Sequence, residues 1–173
     1  MKRNVKNLCL SAACLALCMV LPFFTGQIPQ IGNALSPMHI PVLMCGLLCG
    51  WPYGLVIGFI APLLRFLLFG MPPLMPTGLA MMFELAAYGA VSGLLLKLLP
   101  RKLPFLYVSL IGAMLTGRII WGIARFILGL AVGPAFTISA FLSGAFVTAI
   151  PGIICHILLV PPVVIGVRRA LRE

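Results

Sequence analysis

From residue 8 to residue 167 the chain passes through one apolar run after another, and ten of its fourteen charged residues lie at the two ends or around the connection at 97–102. This pattern restricts the fold more than any other feature. Helices apolar on every side do not face water, and a bilayer core about 30 Å thick is crossed by about 20 apolar residues. Six spans can be drawn, at 8–24, 37–50, 53–69, 77–97, 104–131 and 139–167. At about 20 residues each, they take up most of the 173 residues and leave only tails and short connections. The expected architecture is an all-α integral membrane protein, a single transmembrane domain over 1–173 with six helices in one bundle. Only 8% of residues are charged, against about 25% in soluble domains, so too little polar surface exists to face water all round. No Gly-x4-Gly-Lys-Ser/Thr phosphate loop is present. Any ATP-driven step therefore falls to a partner chain.

The net charge of +10 in a soluble chain would suggest nucleic acid, but the positions of the charges exclude that use. Nine of the twelve basic residues form three clusters: Lys2, Arg3 and Lys6; Lys97, Arg101 and Lys102; Arg168, Arg169 and Arg172. In a six-span chain all three fall on one side. The connections 25–36, 70–76 and 132–138 carry no Lys or Arg, so the positive-inside rule places both termini in the cytoplasm. Span two is short for a full crossing and meets span three through Gly50-Trp51-Pro52-Tyr53, where a proline cannot continue the preceding helix. The basic start, followed by Ser11-Ala12-Ala13-Cys14, loosely imitates a lipoprotein signal. Removing it would break the even span count and the agreement of the charges.

Small residues recur at helix-packing spacing: Ala12 and Ala16; Gly46, Gly50, Gly54 and Gly58; Gly89 and Gly93. Close backbone approach is what such spacing permits in lipid. The glycines are expected to pack internally, whereas Ala12 and Ala16 suit either packing or an outward face that docks another membrane protein. Six cysteines, Cys9, Cys14, Cys18, Cys45, Cys49 and Cys155, all sit in apolar runs without accompanying His or acidic ligands, so apolar packing rather than metal binding is expected.

The residues that point to function are the polar ones placed at lipid depth, where a central arginine costs about 2.5 to 3.5 kcal/mol on insertion scales. They are Arg65, Glu84, Arg118 and Arg125, with His39 and His156. At about 1.5 Å of rise per residue, Arg65, Arg125 and Glu84 lie within roughly 10 Å of the outer boundary, and Arg118 sits two turns deeper on the face of Arg125. One carboxylate cannot neutralise three guanidiniums, and an unpaired buried cation is costly. The surplus is relieved by an anionic ligand or by water in an outward-facing cavity. Arginine's planar fork suits carboxylate or phosphate. The expected substrate contacts are Arg118, Arg125, Glu84, Arg65 and His39, with Tyr88 and Trp121 as aromatic walls and Asn33 in an outer loop beside Gln27 and Gln30. The stretch Met71-Pro72-Pro73-Leu74-Met75-Pro76 is a candidate lid, and His156 is expected to be a packing residue.

Catalysis has no support, since the chain has no aspartate, no His-Glu-x-x-His and no Gly-x-Ser-x-Gly elbow. No cofactor is expected on this chain. Two alternatives stand beside a binding subunit: a small membrane enzyme using the arginines on lipid phosphate head groups, and a self-contained permease.

The chain resembles the substrate-binding S components of energy-coupling factor (ECF) transporters, which import vitamins and related micronutrients in prokaryotes. The resemblance rests on the six-helix plan, on Ala12-x-x-x-Ala16, and on Leu35-Ser36-Pro37-Met38-His39-Ile40-Pro41-Val42-Leu43 leading to Gly46, Gly50 and Gly54. It is similar to the broad group that includes pantothenate and folate carriers. The resemblance implies a multi-pass subunit of the plasma membrane that binds a vitamin-like substrate on its outer side and topples to release it. It also implies docking through Ala12 and Ala16 on a transmembrane coupling subunit, itself seated on two ATP-hydrolysing subunits. Pantothenate, a small carboxylate, is the leading expectation for the substrate.

Overall fold

The computed structural model describes residues 2–25, 35–100, 102–132, 137–144 and 148–171. All regular elements among them are helical: α1 (Lys2–Val20) with a 3-10 turn at Leu21–Thr25, α2 (His39–Cys49), α3 (Trp51–Phe69), α4 (Leu79–Leu98) with a π turn at Leu74–Gly78 before it, α5 (Leu103–Val132), α6 (Ile138–Leu142) and α7 (Ile150–Ala170). Five stretches are long and apolar enough to cross a membrane: Asn4–Phe24, Trp51–Phe69, Leu74–Leu98, Leu103–Leu130 and Ile150–Ala170. Exposed Leu67, Leu68, Ile119, Ile123, Phe126 and Leu158 fit a lipid-facing surface.

The region expected to hold span two differs. Its helix, α2, has 11 residues and a length of about 16 Å, roughly half a bilayer core. Pro37 precedes it, and Gly50, at φ 98°, ends it in a conformation that favours glycine. Pro52 then sits in the first turn of α3, where its missing N–H is harmless. Nine of the eleven α2 residues are buried, so α2 is the centre of the bundle and its neighbours shield it from lipid.

The region expected to hold span six also departs from one continuous helix. The chain forms the short α6, turns where the Thr148 N–H and hydroxyl both bond the Ser143 carbonyl, and restarts as α7 with Pro151 in the first turn. Ser139, Ser143, Gly144 and Thr148 compete with helix through their side chains or lack of one. At the other boundaries α4 ends at extended Leu99, as suits a residue before proline, and α3 ends on Gly70 at φ 70°.

The glycines form the seam of the core. A methyl group on Gly89 would fall on the Gly54 carbonyl, one on Gly58 on the Leu85 carbonyl, and one on Gly93 2.6 Å from the Gly46 carbonyl. Three backbones, of α2, α3 and α4, therefore meet without side chains between them, a contact that drives helix association in lipid. Cys14, Cys18, Cys45 and Cys49 are buried free thiols on α1 and α2. No group of three potential metal ligands occurs among the described residues.

Both ends of the described chain lie at the same end of the bundle. Asn7 Nδ2 donates to the Cys49 carbonyl at 3.3 Å and Arg168 Nη2 to the Leu47 carbonyl at 2.8 Å, so α1 and α7 together cap the C-terminus of α2. Lys97 and Arg168 line one hollow there. Arg101 and Arg172 lie outside the described residues.

Candidate functional site

The opposite end of the bundle is open. Because α2 begins at His39, level with Cys18 through a Cys18 Sγ to Met38 carbonyl contact of 3.7 Å, its neighbours rise past it and leave a hollow. From Arg118, α5 continues for about 20 Å to Val132. The cavity has a volume of about 370 Å³, within the range of small-molecule sites. Its wall brings together His39, Arg65, Glu84, Arg118, Trp121 and Arg125 from four helices.

The floor is an ionic cluster. Glu84, 1% exposed, lies 2.9 Å from Arg118 Nη1 and 3.5 Å from His39 Nε2, both through Oε1. The Arg118 contact is close but poorly directed for a hydrogen bond, so charge rather than a shared proton holds the pair. Arg118 Nε and both His39 nitrogens have no hydrogen-bond partner among the described residues, although all three atoms are buried. Buried polar atoms are normally satisfied, and these belong to residues of the cavity wall. The α2 N-terminus points at the same floor and adds a partial positive charge.

Ser36 shapes the edge of this floor. It adopts φ 47°, uncommon for a residue with a side chain. Its carbonyl receives the His39 backbone N–H at 3.0 Å and lies 3.3 Å from His156 Nε2. His156 thus anchors the turn and stacks on His39 at a centroid distance of 5.9 Å, consistent with its expected packing role.

The remaining arginines differ in their settings. Arg65 is 3% exposed, donates to the Met19 carbonyl at 2.7 Å, and lies over the Phe23 and Phe69 rings at 5.2 and 5.3 Å. It lines the cavity while tying α3 to the end of α1, with cation–π contacts replacing part of its hydration. Arg125 is half-buried nearer the mouth, with Nη1 3.4 Å from Thr77 Oγ1. Three arginines thus stand against one glutamate around a single hollow.

Tyr88, expected as a cavity wall, is not one. It is 1% exposed, lies behind His39 in an edge contact of 5.1 Å, and occupies space that Gly117 leaves on α5. One turn from Glu84 on α4, its ring points into the α4–α5 interface and backs the floor. Trp121 does line the cavity and stacks on Phe141 of α6, where Gly122 leaves room for the Phe141 ring. Asn33, Gln27 and Gln30 lie outside the described residues. The proline-rich stretch contributes Met71 and Pro72 to the wall. Sequence reasoning missed Ser36, Thr77 and Thr148 as lining residues. Ser143, Gly144 and Thr148, poor helix formers inside an apolar run and ahead of Pro151, were the available signal for the last of these.

Residues 6–164 match the sequence model of the family described as ECF transporter, substrate-specific component. The chain belongs to this family. This S component is accordingly a multi-pass, substrate-binding membrane subunit of an ECF importer. Members of the family bind substrates for transport and are not enzymes, and they work with a transmembrane coupling subunit and ATPases. No curated protein and no solved structure matches the chain.

Proposed function

We propose that this S component captures a small anionic vitamin or vitamin precursor in the arginine-lined cavity, with pantothenate the leading candidate. One observation carries the proposal: Arg65, Arg118 and Arg125 line a hollow together with one glutamate, so the wall carries more positive than negative side chains and its field favours an anion. Arg118 and Arg125 are the proposed contacts, Arg65 adds charge from the wall, and Glu84 with His39 completes the floor. Trp121 supplies an apolar face. The cavity opens outward across the plasma membrane of a prokaryotic cell, and both termini lie in the cytoplasm with the basic clusters. The chain itself uses no cofactor. ATP is hydrolysed by two partner subunits, and the small-residue face of Ala12 and Ala16, both exposed on α1, docks on the coupling subunit.

Calorimetric titration of the purified protein with pantothenate and other anionic vitamins tests the proposal. Binding of at least one is expected, weakened at least tenfold by Arg125→Met, because a charge-assisted hydrogen bond contributes about 1.5 to 3 kcal/mol. Equal affinity in the variant, or preference for a cation, contradicts it.

A further inference from the structure

The hollow at the basic end of the bundle has no part in the capture described above, yet its volume of about 800 Å³ exceeds that of the arginine-lined cavity. It opens where α2 ends. Gly50 turns the chain there at φ 98°, and apart from its chain neighbours a methyl group on it would meet only Pro52, at 3.9 Å, so open space begins at this turn. Asn7 of α1 and Arg168 of α7 reach the wall of the hollow, and their bonds to the Cys49 and Leu47 carbonyls hold both side chains in place. Lys97, exposed in the last turn of α4, joins them. The lining thus has two cationic side chains and, among the described residues, no acidic one. Glu84 lies in the other cavity, and the chain's remaining acid, Glu173, is outnumbered by the nine basic residues of the three clusters. The sign of the field at this end therefore does not depend on how individual charges pair.

Depth identifies the kind of anion. Three membrane-crossing stretches end beside the hollow, at Trp51, Leu98 and Ala170, so it lies where hydrocarbon gives way to head groups. Trp51 lines it and is 42% exposed, as suits an indole with an apolar ring and an N–H donor at that boundary. Apolar side chains lead from the hollow into the hydrocarbon: Leu55 stands one turn beyond Trp51 on α3, while Leu94 and Leu98 flank Lys97 on α4, and all three are exposed. The two helices adjoin here, since a methyl group on Gly93 would fall on the Trp51 nitrogen. A soluble anion would fill the charged hollow and leave these side chains untouched. A lipid matches both, with phosphate in the hollow and acyl chains against the leucines. We propose that the hollow binds the phosphate head group of an anionic lipid, with Lys97 and Arg168 as its charge contacts, as basic pockets between membrane helices do elsewhere.

The test uses the full chain, delipidated in detergent and titrated at constant ionic strength with phosphatidylglycerol, with zwitterionic phosphatidylcholine and with inorganic phosphate, bound lipid being counted by native mass spectrometry. Phosphatidylglycerol is expected to bind about tenfold or more tightly than phosphatidylcholine, since each basic residue near the surface contributes roughly fivefold. Lys97→Gln should lower that preference roughly fivefold, and Lys97→Arg should restore it; Lys97 is exposed, so its loss leaves the fold intact. Lys102→Gln, which removes a charge near the same end but outside the lining, should leave the preference unchanged. Equal binding of the two lipids, or a preference that survives Lys97→Gln, overturns the proposal. Equal losses in Lys97→Gln and Lys102→Gln overturn it too, because they assign the attraction to the diffuse charge of this end. Displacement of phosphatidylglycerol by millimolar inorganic phosphate would show a site for free phosphate and overturn the lipid assignment.

Discussion

The two ends of α2 sit in opposite kinds of packing, although the same neighbours surround both. Along the glycine seam the backbones of α2, α3 and α4 approach so closely that Gly54 and Gly89 exclude even a methyl group from each other. At the His39 end the neighbours carry arginine, glutamate and tyrosine, and α2 stops short, so a hollow of about 370 Å³ opens instead. The comparison teaches that the seam bears the stability that lets the other end remain polar and open. In lipid, no hydrophobic drive pulls helices together, and close van der Waals contact takes over that task. Buried ionic floors add little net stability, because desolvation offsets most of the Coulombic attraction.

This contrast can be broken from either side. Glu84→Ala should have the largest effect, destabilising the protein by about 3 to 5 kcal/mol because Arg118 loses its buried partner. Thermal unfolding in detergent reads that loss. The double replacement Glu84→Leu with Arg118→Leu should recover most of the unfolding temperature while binding stays lost. A double variant as unstable as the single one would show that the ionic floor, and not the seam, holds the fold.

Gly89→Val attacks the seam, where overpacking typically costs about 1 to 3 kcal/mol and the obstacle here is the Gly54 backbone, which cannot rotate away. A lowered unfolding temperature with vitamin affinity preserved in the folded fraction is expected. Unchanged thermal stability would remove the seam from its assigned role.

Arg125→Met sharpens the comparison, since a half-buried residue near the mouth contributes little to folding. Ligand affinity should fall at least tenfold, equivalent to about 1.4 kcal/mol, with unfolding of the ligand-free protein shifted by no more than about 0.5 kcal/mol. A stability loss comparable to that of Glu84→Ala would mark Arg125 as structural. Smallest in the isolated protein is Ala16→Leu or Ala12→Leu on the exposed face of α1. Both binding and unfolding should stay at wild-type values while uptake by cells carrying the full transporter is lost. Loss of binding would assign these alanines to folding.

Much of this division was legible in the residues. Glycines in steps of four and charged residues at lipid depth each depart from the composition of a generic apolar helix, so both stood out without coordinates. The single carboxylate made pairing inevitable, but its partner was not readable. Arg65 and Arg125 lie nearer the expected depth of Glu84 than Arg118 does, and only three-dimensional packing gives Arg118 to Glu84 and Arg65 to the Met19 carbonyl. Tyr88 was misplaced because helical spacing puts it one turn from Glu84 without saying which side of α4 the ring takes. Gly117, on another helix, decides that. The half-length of α2 was hinted at by flanking prolines and Gly50, whereas its consequence, a cavity above its N-terminus, depends on how far the neighbouring helices continue.

The most direct measurement is native mass spectrometry of small molecules retained by the S component purified from membranes. One stoichiometric water-soluble compound carrying a negative charge is expected, absent from preparations of Arg125→Met. A retained cation, or a retained compound undiminished by Arg125→Met, would contradict it.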